Sequence, residues 1–200
     1  MKVHVLRQAD YRRMRWKNGG GWTTELAAHP DGAEDFDWRI SIADVGSDGA
    51  FSTFPDCDRW IALLEGNGMQ LEFDAAPAER LEQRLRFLKF SGDWHTHGRL
   101  ISGPVRDFNL IVRRDAVRAE ILHRPLVGPM VFLAEPATTW FVHLVGGRAE
   151  LKNHDAALEA GDSLLLEPVE PAVNHVLSGG GEVVLVKLVQ AGARAGAGPT

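Results

Sequence analysis

RWIALLEGNGMQLEF (59–73) places a glycine turn between two apolar, strand-like segments, and WFVHLVGGRAELKN (140–153) repeats this pattern in the second half of the chain. Asn-Gly and Gly-Gly pairs suit the tight turns that connect antiparallel strands. We therefore expect the turns at Glu65–Gly68 and Val145–Gly147 to join adjacent strands as hairpins. Because the pattern occurs once in each half, it predicts two similar β halves.

Short segments rich in β-branched and aromatic residues recur along the whole chain, separated by Gly, Pro, Asp and Asn. This spacing is typical of antiparallel sandwiches and barrels. The best helix candidate, Ala78–Leu85, is short. The predicted strands are Val3–Leu6, Thr23–Ala28, Trp38–Val45, Trp60–Glu65, Met69–Phe73, Leu85–Phe90, Phe108–Arg113, Val117–Leu122, Met130–Leu133, Thr139–Val145, Ala149–Leu151, Ser163–Glu167, Val173–Leu177 and Val183–Val189.

The second half continues as LEAGDSLLLEPVEPAVNHVLSGGGEVVLVKL (158–188), in which Gly161-Asp162 begins a strand and Pro171 and His175 follow. This order resembles the second sequence motif of cupins, which are small double-stranded β-barrels. The expected fold is therefore an all-β bicupin, with one cupin-like barrel in residues 1–115 and a second in 116–190. We expect the halves to share strands in one compact unit, and the Gly-rich tail 191–200 to be disordered.

Composition and charge exclude several classes of function. The chain has 200 residues, 44% of them hydrophobic, and a net charge of -5 with scattered arginines, which argues against nucleic-acid binding. No segment approaches the roughly 18 apolar residues of a membrane span, and the first residues lack the apolar region of a signal peptide. Cys57 is the only cysteine, so an internal disulfide is excluded. We expect a cytoplasmic protein that binds neither nucleic acid nor a membrane.

The segment WKNGGGWTTE (16–25) contains three consecutive glycines between two tryptophans. Glycine adopts positive φ without steric cost and allows the backbone amides to approach a ligand closely. The pair Asn18-Gly19 equally suits the apex of a type I′ hairpin, so a ligand-contacting turn and a simple hairpin both remain open. The spacing does not match a nucleotide-binding P-loop.

Three segments in this order, WKNGGGWTTE (16–25), FDWRISIADVGSDGAFSTFPDCDRWIALLEGNGMQLEF (36–73) and GPVRDFNLIVRR (103–114), resemble the HutD/Ves family. The resemblance implies a cytoplasmic cupin-fold protein without an established catalytic activity. For the HutD branch it implies a link to histidine utilisation and binding of a small catabolite such as urocanate or a formylated or formimino glutamate. Ves members are linked to stress responses instead, and the sequence does not separate the two branches.

Strand periodicity groups several polar side chains of the resembling segments. The period of two puts Arg39 and Ser41 on the same face of one predicted strand, and Asn109 and Arg113 on the same face of another. Such faces suit the half-polar lumen of a barrel, although arginines that point into solvent would give the same pattern. Which of the two holds depends on whether the arginines converge.

Converging arginines would make the ligand an organic acid. Their planar guanidinium groups hold a carboxylate through paired, charge-assisted hydrogen bonds that lysine cannot reproduce. A carboxylate such as Glu25 or Asp107 would accept from an imidazole N–H, whereas the alternatives are an ion pair from Glu25 to an arginine and orientation of Arg113 by Asp107. The predicted ligand-binding residues are Trp16, Asn18, Gly19, Gly20, Gly21, Glu25, Arg39, Ser41, Phe51, Arg59, Asp107, Asn109 and Arg113.

No catalytic, metal or cofactor motif is complete in this sequence. His95-Thr96-His97 resembles the first half of a cupin metal motif, but no glutamate follows at the required spacing, so we expect a surface loop and no metal. There is no Gly-x-Ser-x-Gly elbow. An enzyme that uses Glu25 and Asp107 as an acid and base pair is the runner-up, and a protein-interaction module is a further alternative. A homodimer formed through an exposed sheet edge also remains open.

Overall fold

The computed structural model describes residues 1–33, 35–154 and 156–192, and these residues contain strands and one 3-10 turn (Gln8–Asp10) but no α-helix. Residues 193–200 of the predicted disordered tail lie outside the described residues. Within the described part, no helix is long and apolar enough to cross a bilayer. The strands are β1 (Lys2–Leu6), β2 (Arg12–Arg15), β3 (Gly21–His29), β4 (Trp38–Val45), β5 (Gly49–Ala50), β6 (Cys57–Glu65), β7 (Met69–Phe73), β8 (Glu79–Leu81), β9 (Leu88–Ser91), β10 (Thr96–Leu100), β11 (Val105–Arg113), β12 (Val117–Phe132), β13 (Thr138–Leu151), β14 (Ala156–Glu159), β15 (Ser163–Glu167) and β16 (His175–Gln190).

The strands form three sheets, which we call the central, short and carboxyl-terminal sheets. The central sheet has the order β2-β3-β4-β11-β6-β9, and the short sheet has the order β5-β10-β7-β8. The carboxyl-terminal sheet has the order β1-β15-β13-β16-β12, with β14 paired to β13. Because β1 pairs antiparallel with β15, the first residues of the chain lie in the sheet of the second half. The predicted all-β class is confirmed.

An apolar core joins the central sheet to the carboxyl-terminal sheet. Ile40, Phe108 and Leu110 of the central sheet pack in one core with Phe141 and Val186 of the carboxyl-terminal sheet, and all five are fully buried. Burying an aliphatic or aromatic side chain of this size contributes about 1.5–3 kcal/mol. This core therefore holds the two halves of the chain against each other.

The two faces of β4 and β11 have different surroundings, since one faces an apolar core and the other faces a cavity. The apolar side chains of β4 and β11, such as Ile40 and Leu110, belong to the core between the sheets. The residues that alternate with them, such as Ser41 and Asn109, line a cavity on the opposite side. The alternation predicted for these two strands is confirmed, and it separates the apolar from the polar face.

The predicted helix Ala78–Leu85 is wrong. Its first part forms β8, which pairs antiparallel with β7 in the register Met69↔Leu81 and buries Leu81 in the core between the central and short sheets. An isolated helix of this length is marginal in water, so strand pairing and burial of the leucine override the local helical pattern.

Both predicted glycine hairpins also require correction. The turn Glu65–Gly68 joins β6 of the central sheet to β7 of the short sheet, so it carries the chain between sheets. The segment Val145–Gly147 lies inside the continuous strand β13, where the register with β16 shifts between Leu144 and Gly146. The glycines predicted a change of chain direction at both positions, but they did not predict which strands lie on either side.

The bend in β13 depends on glycines in close contact with β16. Gly147 has φ +92°, and a Cβ atom there would collide with the backbone of Gly180 and Gly181. A Cβ atom on Gly180 itself would meet no heavy atom within 4 Å. Two neighbouring glycines thus differ in whether a side chain can be accommodated.

We expect Gly147→Ala to lower the free energy of unfolding by at least about 2 kcal/mol, because it combines a positive φ with a backbone collision. Gly180→Ala, the matched control, should change it by less than about 0.5 kcal/mol, since the position is open. Urea unfolding followed by circular dichroism measures both. Equal effects of the two substitutions would contradict this account of the bend.

Candidate functional site

A cavity of about 520 Å³ lies on the polar face of β4 and β11 and extends to the loops around residues 16–18 and 51–54. The central sheet provides its floor, because β4 and β11 direct alternate side chains toward it and β6 contributes Arg59. Of the residues predicted from the sequence, those that line the cavity are Trp16, Asn18, Arg39, Ser41, Phe51, Arg59, Asp107 and Asn109.

Arg59 of β6 is buried in this cavity among aromatic rings. Arg59 is only 6% exposed. Its guanidinium carbon lies 4.9 Å from the ring centre of Phe90 and 5.3 Å from that of Phe54. Its Nη1 donates a hydrogen bond of 3.0 Å to the carbonyl oxygen of Ser52, while its Nε has no partner. Burial lowers the pKa of Arg59 to about 10, so the group stays charged at neutral pH.

Arg39 of β4 also lies among aromatic rings, although the residue is only half-buried. Its guanidinium carbon lies 4.8 Å from the ring centre of Phe36 and 5.1 Å from that of Phe54, and its buried Nε has no hydrogen-bond partner. Burial lowers the pKa of Arg39 from its ordinary value, and the nearby charge of Glu25 opposes this decrease. Among the described residues, no carboxylate oxygen lies within 4.0 Å of either Arg39 or Arg59. The cavity therefore contains two cations without a protein counter-ion in contact.

Asp107 of β11 lines the same cavity and is 1% exposed. Its Oδ1 accepts a hydrogen bond from Nδ2 of Asn109, whereas its Oδ2 is buried without a partner. Burial raises the pKa of Asp107 to about 7, and the nearby charge of Asp44 adds to the rise while Arg59 opposes it. Near neutral pH this carboxyl can therefore exist in either protonation state.

Two further cations, Arg15 and Lys17, line the cavity and are exposed. Within the described ranges, neither has a carboxylate oxygen within 4.0 Å. Sequence reasoning missed both, although the basic residues of RRMRWK (12–17) were a signal that charge gathers next to the glycine triplet. The missed Phe54 lies three residues after the predicted Phe51, in the same loop.

Arg113 and Glu25 do not reach the cavity, which corrects their predicted place. Arg113 forms an ion pair with Asp35 and donates to the carbonyl oxygen of Phe36, so it does not converge with the two cavity arginines. Glu25 forms an ion pair of 3.1 Å with Arg12 on the neighbouring strand β2. Both side chains are held by partners that single-strand periodicity could not predict.

The glycine triplet lies in the hairpin between β2 and β3, where Gly19 and Gly20 belong to the loop and Gly21 begins β3. The predicted hairpin is confirmed, but the predicted type I′ turn is wrong, because Gly19 has positive φ and Asn18 does not. Gly19 has φ +74°, and a Cβ atom on Gly21 would collide with the backbone of Asp44 and the ring of Trp16. Gly19, Gly20 and Gly21 line a separate groove of about 420 Å³ instead of the main cavity. Turn geometry and close packing therefore account for the triplet.

The described residues contain no group of three or more His, Cys, Asp and Glu side chains arranged to hold a metal. His95 is exposed next to β10, whereas His97 lies on β10 opposite Ala50 and Glu72, so the predicted surface loop is wrong for His97.

The sequence model of the HutD family matches residues 8–185 of this chain. The chain belongs to the HutD family. An uncharacterised 21.2 kDa protein in the hutC 3′ region of Pseudomonas putida is 42% identical over 121 residues, 60% of this chain and 63% of that protein. Protein Ves of Citrobacter koseri is 38% identical over 116 residues, 56% of this chain and 60% of that protein. The matched segments thus span less than two thirds of these relatives.

Solved structures show the same fold over almost the whole chain. The structure of HutD from Pseudomonas fluorescens SBW25, in a formate condition, has a TM-score of 0.82 and 34% identity, covering 96% of this chain and all of that one (100%). The bacterial pirin YhhW of Escherichia coli, at 10% identity and a TM-score of 0.69, covers 93% of this chain and 98% of its own, and shows the fold alone. The cupin-like character predicted from the sequence agrees with these neighbours.

Asp107→Asn should stabilise the protein increasingly as pH rises. The pKa of Asp107 is about 7 in the folded protein against an ordinary value of about 3.9. The folded state therefore binds more protons between these values, and wild-type stability falls as pH rises through them. Asp107→Asn cannot titrate, so it does not lose stability in this way. The difference in unfolding free energy between the variant and wild type should therefore grow from pH 4 to 7 and then level off. At about 1.4 kcal/mol per pKa unit it should reach a few kcal/mol.

Urea unfolding at a series of pH values measures this difference. The exposed Asp115→Asn provides the control, because no comparable burial applies there. Wild-type and Asp107→Asn curves that run parallel across this pH range would show that burial does not shift the titration of Asp107.

Proposed function

We propose that this protein binds a small carboxylated metabolite of histidine breakdown in the cytoplasm and regulates histidine utilisation through that binding. The observation that carries the proposal is the pair Arg39 and Arg59, which line one cavity without a carboxylate in contact among the described residues. A buried cation without a counter-ion raises the free energy of the unliganded protein. A ligand carboxylate that pairs with the cation would relieve this cost, which favours binding. Arginine is also the side chain best suited to paired hydrogen bonds with a carboxylate.

The remaining lining of the cavity suits a small, partly polar ligand. The rings of Phe51 and Phe54 supply apolar surface, and Ser41 and Asn109 supply neutral hydrogen-bonding groups. A cavity of about 520 Å³ lies within the range of about 300–1,000 Å³ typical of small-molecule sites. These features support an organic acid with a carbonyl or ring portion as the ligand.

Arg15 and Lys17 favour a formylated or formimino glutamate over urocanate. Both cations line the same cavity as Arg39 and Arg59, and among the described residues neither is in contact with a carboxylate. A ligand with two carboxylates would place one between Arg39 and Arg59 and the other near these exposed cations. Urocanate has a single carboxylate and would leave the outer pair unused.

The assignment to histidine utilisation rests on relatives. One relative lies in the hutC 3′ region of Pseudomonas putida, and a structural neighbour at 34% identity is named HutD. A relative named Ves, at 38% identity, supports the alternative that the chain acts in the Ves branch, where stress responses are the expected role. The ligand would distinguish them, because only the histidine branch requires binding of a histidine catabolite.

The distribution of apolar cores supports the bicupin arrangement as a proposal. One apolar core lies between the central and short sheets, and a second lies within the carboxyl-terminal sheet, with members such as Leu126, Val142 and Leu164. Two separate cores of this kind are what two cupin-like barrels, at 1–115 and 116–190, would contain. The ligand site would then belong to the amino-terminal barrel, while β1 is shared with the second half as a strand of its sheet.

Catalytic turnover is the second candidate function, and Asp107 is the observation that favours it. A buried carboxyl with a pKa of about 7 can act as a general acid or base near neutral pH. Product analysis by mass spectrometry after incubation with each metabolite separates the two functions. Unchanged metabolite supports binding and regulation, whereas conversion that Asp107→Asn abolishes supports a metal-independent enzyme.

Arg39→Met and Arg59→Met should each weaken carboxylate binding by about 10- to 100-fold, since a hydrogen bond to a charged group contributes roughly 1.5–3 kcal/mol. Isothermal titration calorimetry with N-formylglutamate, formiminoglutamate, urocanate and formate measures the affinities. Arg148→Met is the matched control, because its side chain is 82% exposed and lies outside the cavity. Unchanged affinities in both cavity variants, with the fold confirmed by circular dichroism, would refute the carboxylate site.

Substitution of the outer cations should alter selectivity between ligands. The double variant Arg15→Met, Lys17→Met should weaken N-formylglutamate binding by about 3- to 10-fold, because exposed charge pairs contribute little each. Urocanate binding should change by less than about twofold, since its single carboxylate occupies the inner pair. Equal losses for both ligands in competition calorimetry would argue against a second carboxylate position.

A further inference from the structure

Asp107 presents a problem for an anion-binding cavity. It is an acid, it is almost fully buried, and it lines the cavity that contains Arg39 and Arg59. An ionised carboxylate at this position would repel an incoming carboxylate and compete with it for the arginines. Yet within the described part of the chain Asp107 forms no ion pair with either arginine within 4.0 Å.

The hydrogen bonds of Asp107 leave one oxygen without a partner. Oδ1 accepts from Nδ2 of Asn109, two residues along the same strand. Oδ2 is buried and has no partner among the described residues, so it is the oxygen of Asp107 whose hydrogen-bonding capacity is unused. Burying an ionised oxygen without a hydrogen bond is far more costly than burying a neutral hydroxyl group.

The charged groups around Asp107 come from the two strands that flank it. From β6, Arg59 favours the ionised form of Asp107, and from β4, Asp44 disfavours it. Arg39, also on β4, lines the same cavity. The charge of Asp44 is already engaged by Arg13 at 3.0 Å and Arg106 at 2.8 Å.

We infer that Asp107 binds the ligand in its protonated form, donating a hydrogen bond from Oδ2–H to the ligand carboxylate, so that carboxylate binding takes up a proton. The inference rests on the proposed function, because it concerns the same cavity. The step balances without a co-reactant: a proton from solvent neutralises Asp107, and the bound anion keeps its charge between the two arginines. The hydrogen bond between a carboxylic acid and a carboxylate belongs to the strong, charge-assisted class.

Electrostatics give the direction of the coupling. In the free protein, burial already brings the pKa of Asp107 to about 7. A second negative charge in the same cavity disfavours ionisation further, as for two carboxylates that share a site. The pKa of Asp107 is therefore higher in the complex than in the free protein, and linkage requires that binding takes up a proton between the two values.

The pH dependence of affinity follows from this difference. Below about pH 6, Asp107 is protonated in both states, so affinity is constant. Above pH 7 the free protein loses the proton that the complex keeps, so affinity falls with rising pH by up to about tenfold per unit. A donor at this position also selects ligands that present an oxygen acceptor, in contrast to an imidazole N–H, which would need an ionised Asp107.

The test is calorimetry with N-formylglutamate at pH 6, 7, 8 and 9, each in two buffers that differ in enthalpy of ionisation. Both carboxyls of this probe are ionised throughout the range, so proton uptake reports on the protein. Wild-type protein should take up close to one proton at pH 8 and lose affinity between pH 7 and 9. Asp107→Asn keeps a hydrogen-bond donor but cannot titrate, so it should take up no proton and bind more tightly than wild type at pH 8 and above.

Three results would overturn the inference. One is binding by wild type without proton uptake, and another is weaker binding by Asp107→Asn than by wild type at pH 8, as an ionised hydrogen-bond acceptor would give. Either of these, with binding still weakened in Arg39→Met and Arg59→Met, leaves the proposed function in place. The third is no binding of N-formylglutamate, urocanate or formate by wild type at any pH, which refutes the proposed function and the inference with it. The Asp115→Asn control should take up protons as wild type does.

Discussion

The placement of buried Arg59 and half-buried Arg39 in one cavity, with no carboxylate of the described residues in contact, is the constraint on which the candidate site depends. Moving a guanidinium out of water costs several kcal/mol even after relaxation. Here the cost is offset in part by aromatic rings, since Arg59 lies over Phe90 and Arg39 over Phe36, and by the carbonyl oxygen of Ser52. Such contacts stabilise the cation without neutralising it, which leaves the positive charge available to an anionic ligand.

The fold provides this site by giving one sheet two different faces. The period of two along β4 and β11 sends Ile40, Phe108 and Leu110 into the core between the halves and the intervening side chains into the cavity. The core then fixes the positions from which Arg39 and Asp107 extend. Side chains on paired central strands are held more precisely than side chains on loops. This suits a site in which Arg39, Arg59 and Asp107 have to keep fixed positions in the absence of a ligand.

Sequence reasoning predicted the parts that depend on local periodicity. The bounds of β4, β7 and β15 agree with the predicted strands, and the alternation on β4 and β11 identified Arg39, Ser41 and Asn109 as part of the polar cavity lining. It failed where a distant partner decides. Arg113 forms an ion pair with Asp35 and a hydrogen bond to the carbonyl oxygen of Phe36. Leu81 belongs to a strand because β8 pairs with β7. Neither contact can be predicted from the residues nearby in sequence. The strands β12, β13 and β16 were each predicted as two strands, and they are continuous because β16 pairs with both β12 and β13 along their length.

The most direct measurement of the central claim is the nuclear magnetic resonance spectrum of the arginine Nε–Hε groups during titration with N-formylglutamate. The signals of Arg39 and Arg59, assigned by their disappearance in the methionine variants, should move in parallel with ligand saturation, because both guanidinium groups line the cavity. Signals of exposed arginines such as Arg148 should stay in place. Saturable binding that leaves the signals of Arg39 and Arg59 unmoved would show that the carboxylate binds elsewhere and would contradict the account.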